Sequence, residues 1–125
     1  MEQKRQLITE KAPSPAGPYS QGILSENFVF VSGQRPVNPE TNDACEGIKE
    51  QTRQVIKNLE AVLREGGSSL EDVVRTTVYL ADISDFDEMN EIYCQMMPRP
   101  FPARTTIGAQ LRGILVEIDA IARKK

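Results

Sequence analysis

The chain has no histidine, only two cysteines and no excess of positive charge, and each shortage removes a class of function. Without imidazole, the usual nucleophilic triads, zinc sites and general bases titrating near neutrality are excluded. Any chemistry then rests on carboxylates, lysine, arginine, tyrosine and backbone groups. Cys45 and Cys94 are too few for a disulfide framework, so both are expected as reduced thiols, Cys94 buried and inert within a helix. Lys and Arg number 15 against 18 Asp and Glu, a net charge of −3 that offers no pull toward phosphate backbones or anionic membranes. Nucleic acid is therefore not an expected partner. No apolar run approaches the ~20 residues of a membrane span, and the charged start Met1-Glu-Gln-Lys-Arg leads into no apolar core of signal-peptide length. The expectation is a cytoplasmic protein with no membrane association.

What is present is ordinary globular composition, 39% hydrophobic and 26% charged, in a length that suffices for one hydrophobic core but not two. Residues 1–125 are read as a single domain. Arg5–Thr9 suits a short edge strand, and the proline-rich Ala12–Pro18 that follows cannot be helix. The aromatic and β-branched run Phe28-Val-Phe-Val-Ser32, closed by Gly33, predicts an antiparallel pair of Gly22–Ser25 with Asn27–Ser32. Ile48, Thr52, Val55, Ile56, Leu59, Val62 and Leu63 fall on one face at helical spacing, with Asp43 and Glu46 spaced as a capping box before them and Gly66-Gly67 after. A strand over Val73–Ala81 precedes a second helix over about Asp85–Met97, with Ser84 and Asp87 as its capping box and Pro98, Pro100 and Pro102 as its stop. Ala103–Leu111 and Ile114–Arg123 then alternate in period two about Leu111-Arg-Gly113, as a closing hairpin that sets Glu117 opposite Gly108.

The order β-β-β-α-β-α-β-β with two crossover helices predicts an α+β fold, one β-sheet with both helices packed on one face. On the last strand Leu115 and Ile121 oppose Val116, Ile118 and Ala120, so the second face of the sheet is also apolar, which points to subunits packing there.

Several segments in combination resemble the reactive intermediate deaminase family, also called RidA or YjgF-like, over nearly the whole chain. They are Ala12-Pro with Gly17-Pro-Tyr-Ser-Gln-Gly22, Val31-Ser-Gly-Gln34 followed by Pro36-Val, Asn58-Leu, Phe86 with Asn90 and Tyr93, Pro102-Ala-Arg104, and Val116-Glu-Ile-Asp-Ala-Ile-Ala122. The resemblance implies a chorismate-mutase-like homotrimer with ligand clefts between subunits. It also implies hydrolysis of 2-aminoacrylate, 2-iminopropanoate and 2-iminobutanoate to 2-oxo acids and ammonia, with no metal and no organic cofactor. Position by position, the family's carboxylate-binding arginine falls on Arg104, its water-handling acid on Glu117, and its pocket-lining residues on Tyr19, Ser32, Gly33 and Asn90. Thr106 stands where many relatives have cysteine, so no thiol nucleophile is carried over, and Thr106 is expected to serve the site through its backbone.

The residue chemistry suits these roles. A guanidinium is a planar fork of donors for a carboxylate, although a strand arginine taken alone is more often in a surface ion pair. A positioned carboxyl group can pass a proton from water to a leaving nitrogen, and burial of Glu117 among Val116, Ile118, Ala120 and Ala122 would raise its pKa; the plainer reading is a glutamate on a wet strand face. In the hairpin register Arg104 lies four residues beyond Glu117's partner, ~13 Å away, so the two flank one small ligand only by leaning inward or by meeting across subunits. A second reading keeps the Arg104 cleft as a non-catalytic receptor that binds a small carboxylate and regulates a partner. A nuclease is the weakest reading, given the acidic balance and the missing histidine.

Overall fold

The computed structural model describes residues 3–125. Its elements are β1 (Arg5–Leu7), β2 (Gly22–Ser25), β3 (Phe28–Gln34), α1 (Ile48–Glu65), β4 (Val73–Leu80), α2 (Phe86–Met96), β5 (Ala103–Gly108) and β6 (Val116–Arg123), the α+β order expected from the pattern. The six strands lie side by side as β1-β2-β3-β6-β4-β5. All neighbours are antiparallel except β4 and β5. Both helices sit in crossovers that step the same way across the sheet, β3 to β4 and β4 to β5. With crossover handedness fixed, that places both on one face.

The core forms where the 3.6-residue stripe of α1 meets the period-two faces of the strands. Val55, Ile56, Leu59, Val62 and Leu63 are buried against Val29 and Val31 of β3 and Val116, Ile118, Ala120 and Ala122 of β6. A Cβ on Gly22 would come 2.6 Å from Val62 Cγ1, so glycine is what lets α1 lie close on β2. Among the described residues no helix covers the opposite face of the sheet. Phe28 and Phe30 are each 42% exposed there with ring centroids 6.5 Å apart, and Ile107 is 41% exposed.

Several local expectations give way to longer-range packing. The final two strands do not form a hairpin: β6 inserts between β3 and β4, and β5 pairs in parallel with β4 at the sheet edge. Ala109–Leu115 is a loop over the end of β4, tied by Ala109 N–H to Leu80 O at 2.8 Å and Ala81 N–H to Leu115 O at 3.0 Å. Glu117 consequently pairs with Tyr79, not Gly108. Period-two alternation identifies a strand and its faces but says nothing of its partner. Ile121 does lie on the open face, whereas Leu115 precedes β6 and packs against the core.

Neither capping box forms. Residues 37–44 close on themselves through a Val37–Ala44 bridge, and α1 starts after Gly47 at φ 81° with no side-chain cap. Before α2, Asp82 accepts hydrogen bonds from the backbone N–H and the hydroxyl of Ser84, capping a 3-10 turn over Ile83–Asp85 that runs into the helix. At the end of α1 the left-handed residue is Gly67, at φ 76°.

Candidate active site

The structure divides the residues picked from sequence between the two faces of the sheet. Arg104 pairs with Thr76 and Glu117 with Tyr79, so the two stand two strands apart and three residues out of step. That is about 14 Å between Cα atoms, on opposite sides of the sheet. The inward lean allowed by the hairpin register is ruled out, and no small ligand reaches both side chains within one chain.

On the helix face, the Arg104 guanidinium carbon lies 4.7 Å from the centre of the Tyr93 ring and 5.6 Å from that of Phe86. The aromatic frame fixes the plane of the fork and leaves its edge free for an anion. Tyr93 is itself fixed: its hydroxyl shares a buried 2.7 Å hydrogen bond with Thr76. Burial pushes its phenol pKa up, while that bond and the charge of Arg104 pull it down. Asn90, Tyr93, Cys94, Phe101, Pro102 and Arg104 line a cavity of about 330 Å³. Cys94 corrects its expectation: it is exposed and faces this cavity. Its place in a partly buried helix was legible, but the face it takes was not.

Thr106 lies two residues beyond Arg104, on the same face of β5. Its hydroxyl oxygen is buried without a hydrogen-bond partner. A buried orphan hydroxyl costs roughly 1–3 kcal/mol, so the near-isosteric Thr106→Val is expected to unfold in urea at the same or a higher midpoint than the unsubstituted chain. A clear loss of stability would show that the hydroxyl has a partner in the assembled protein.

On the open face, Tyr19, Ser32, Gly33, Arg35 and Glu117 line a second cavity of about 350 Å³. It is made by a bulge in β3: the register shifts between Val31, opposite Ala120, and Gln34, opposite Ile118, so Ser32 and Gly33 share one place in the ladder. A bulge re-aims local groups and loosens the pairing, a common device beside binding sites. The expected open approach to Gly33 is taken by Glu117. A Cβ on Gly33 would collide with Glu117 Oε2 and come within 2.9 Å of its Cδ, so the carboxyl group packs directly against the glycine. Burial raises the pKa of Glu117, Arg35 pulls it down and Asp119 adds to the rise. Ser32 is already engaged, its N–H on Gln21 O at 3.0 Å and its hydroxyl on Ser20 O at 2.6 Å, so toward a ligand it offers only lone pairs.

Tyr19 is 44% exposed, and its hydroxyl accepts a 3.0 Å hydrogen bond from Ala16 N–H. The proline-rich loop that carries it is ordered by one side chain. Gln21 is buried; its Oε1 accepts from Thr9 N–H at 2.8 Å while its Nε2 is shared among the carbonyls of Thr9, Ala12 and Pro13 at 2.9–3.1 Å. Sequence reasoning took no note of Gln21, Arg35, Phe101 or the role of Asn58. All lie within or beside the quoted motifs; Gln21 and Asn58 hold loops, and Arg35 and Phe101 line the cavities, none of which periodicity records.

These features describe a class: a small α+β domain with an aromatic-framed guanidinium on one sheet face and a half-buried carboxyl group on the other, each in a cavity sized for a small molecule. The chain belongs to the endoribonuclease L-PSP family, the RidA/YjgF group, whose family model matches residues 9–124. It is 49% identical over 125 residues to a RutC family protein of Pyrococcus abyssi, covering 98% of each chain. It is 39% identical over 122 residues to the 2-iminobutanoate/2-iminopropanoate deaminase of Homo sapiens, covering 95% of this chain and 89% of that one. The crystal structure of E. coli TdcF with bound serine superposes with a TM-score of 0.92 at 32% identity, covering 97% and 99% of the two chains.

Proposed function

We propose that the chain hydrolyses reactive imines of short 2-oxo acids, 2-iminopropanoate and 2-iminobutanoate, the former reached also from its enamine tautomer 2-aminoacrylate, in clefts between the subunits of a homotrimer. The observation that carries this reading is the division of the site. The Arg104 cavity holds a carboxylate anchor but no carboxyl group among its lining residues, the Glu117 cavity holds one, and the sheet face beside Glu117 presents exposed Phe28, Phe30 and Ile107. Copies that cover this apolar face would bring the Arg104 cavity of one against the Glu117 cavity of the next.

In such a cleft Arg104 holds the substrate carboxylate, with Asn90 and Thr106 along the same wall. Glu117 takes a proton from a water as its oxygen attacks the C=N carbon. It returns that proton to nitrogen, giving the carbinolamine, and then moves the hydroxyl proton to nitrogen as the C–N bond breaks and the C=O bond forms, so that ammonia and the 2-oxo acid leave. Tyr19, Ser32 and Gly33 close the other wall. The deaminase name of the human relative and the serine held by TdcF support a site for small amino-acid-like molecules. The family's nuclease label finds less support, since the site residues include no histidine and the net charge is −3.

The test generates 2-aminoacrylate in situ with a serine dehydratase and follows 2-oxo acid release. The chain is expected to accelerate release above the spontaneous rate. No acceleration across several short imines, with the ligands still bound, would leave the receptor reading in its place.

A further inference from the structure

A carboxylate-bearing substrate faces an electrostatic problem in this site. Glu117 must lie close to the reacting carbon, and the substrate carries its own negative charge on the adjacent carbon. Glu117 is further surrounded by acidic and neutral groups. Asp119 projects from the same face of β6 two residues on, Tyr79 pairs with Glu117 from β4 and donates its hydroxyl to Asp119 Oδ2 at 3.0 Å, and Tyr19 contributes its ring and hydroxyl from the loop opposite. Among the described residues Arg35 is the one cation lining this cavity.

Arg35 is also held in place. The fully buried Asn58 of α1 donates its amide to the carbonyl oxygens of Arg35 and Val37, both at 3.0 Å, and itself accepts from Gln54 at 2.9 Å. Pro36 O accepts from Cys45 N–H at 2.9 Å, closing the turn beyond. Among the described residues no carboxylate lies within 4.0 Å of the Arg35 guanidinium, so its charge is spent on no structural ion pair. It lines the same cavity as Glu117 without forming an ion pair with it.

We propose that Arg35 is a positioning residue for imine hydrolysis: its guanidinium, carried on a clamped backbone, is the counter-charge that lets an anionic Glu117 and an anionic substrate share one cleft. The proposal rests on the deaminase reading for its consequence and on the geometry of the Arg35–Glu117 cavity for its cause. Arg35 acts through Glu117, offsetting the burial and the Asp119 charge that favour the protonated acid.

Its test uses the intact protein labelled with ¹³C at glutamate Cδ, with the Glu117 signal assigned by its loss in Glu117→Gln. The signal is titrated in the unsubstituted chain, Arg35→Met, Arg35→Gln and Arg35→Lys, and the pH profile of kcat/KM is recorded for each. The Glu117 midpoint is expected to move to higher pH in the Met and Gln variants and to return in Arg35→Lys. The acid limb of kcat/KM should follow, leaving both neutral variants several-fold slower on that limb. An unchanged midpoint in both folded neutral variants overturns the proposal, and if KM rises at the same time Arg35 is an anchor for the ligand itself. Failure of the deaminase reading shows separately, as an unsubstituted chain that adds nothing to the spontaneous rate while the titration still responds to Arg35.

Discussion

Glu117→Gln is expected to lower kcat for imine hydrolysis by ~10²–10⁴, the usual worth of a positioned general acid–base group, and to leave KM within a few-fold. The amide fills the same space over Gly33 but cannot take a proton from water, so the loss falls on the chemical step. The pH profile carries the same signature. Burial holds the Glu117 pKa above the usual glutamate range. The base is the ionised form, so the rate should rise with pH through a midpoint on the high side of an ordinary carboxylate, a limb that the glutamine variant lacks. Stability should run the opposite way. A folded pKa raised above the unfolded one means that, as pH climbs through that window, the unfolded chain gives up its proton first and the folded state loses stability. At neutral pH Glu117→Gln is therefore expected to be at least as stable as the unsubstituted chain, with the difference vanishing in acid. A variant that is both slower and less stable at neutral pH would make Glu117 a structural residue.

Replacing Arg104 should show its loss in binding instead. A carboxylate held by a guanidinium is present in both the bound substrate and the transition state, so Arg104→Ala is expected to raise KM by roughly 10–10²-fold with a smaller change in kcat, from charge-assisted hydrogen bonds worth about 1.5–3 kcal/mol. Arg104→Lys separates charge from shape. It keeps the cation but loses the planar fork held against Tyr93 and Phe86, and should recover only part of the affinity. Steady-state kinetics over a substrate range well above the unsubstituted KM measure both. An Arg104→Ala variant with unchanged KM would contradict the anchor.

Much of this architecture was legible in the sequence. Alternation in Phe28–Gln34 and the stripe from Ile48 to Leu63 gave the two faces that make the core, because burial repeats at the period of the backbone itself. The placing of β6 was not legible, since the same alternating residues satisfy a hairpin or an inserted strand. The difference is decided by α1, whose stripe needs β3 and β6 side by side beneath it. That one change of partner moved Arg104 and Glu117 from one hairpin to opposite faces of the sheet. The site residues themselves were found through motif resemblance. The residues that hold the site, Gln21 beneath the Tyr19 loop and Asn58 beneath Arg35, act by several side-chain hydrogen bonds to the backbone of irregular segments, and no periodicity in the sequence marks those.

The central claim is that a working site takes Arg104 from one subunit and Glu117 from another, and complementation between variants tests it most directly. Arg104→Ala and Glu117→Gln chains are unfolded, mixed in equal amounts, refolded together and assayed against each variant treated alone. In a ring of randomly mixed subunits roughly a quarter of the clefts receive both intact residues, so activity near a quarter of the unsubstituted level is predicted from two preparations that are each nearly inactive. Activity no greater than the average of the two separate variants, in mixtures shown by mass spectrometry to contain both chains, would contradict the shared site.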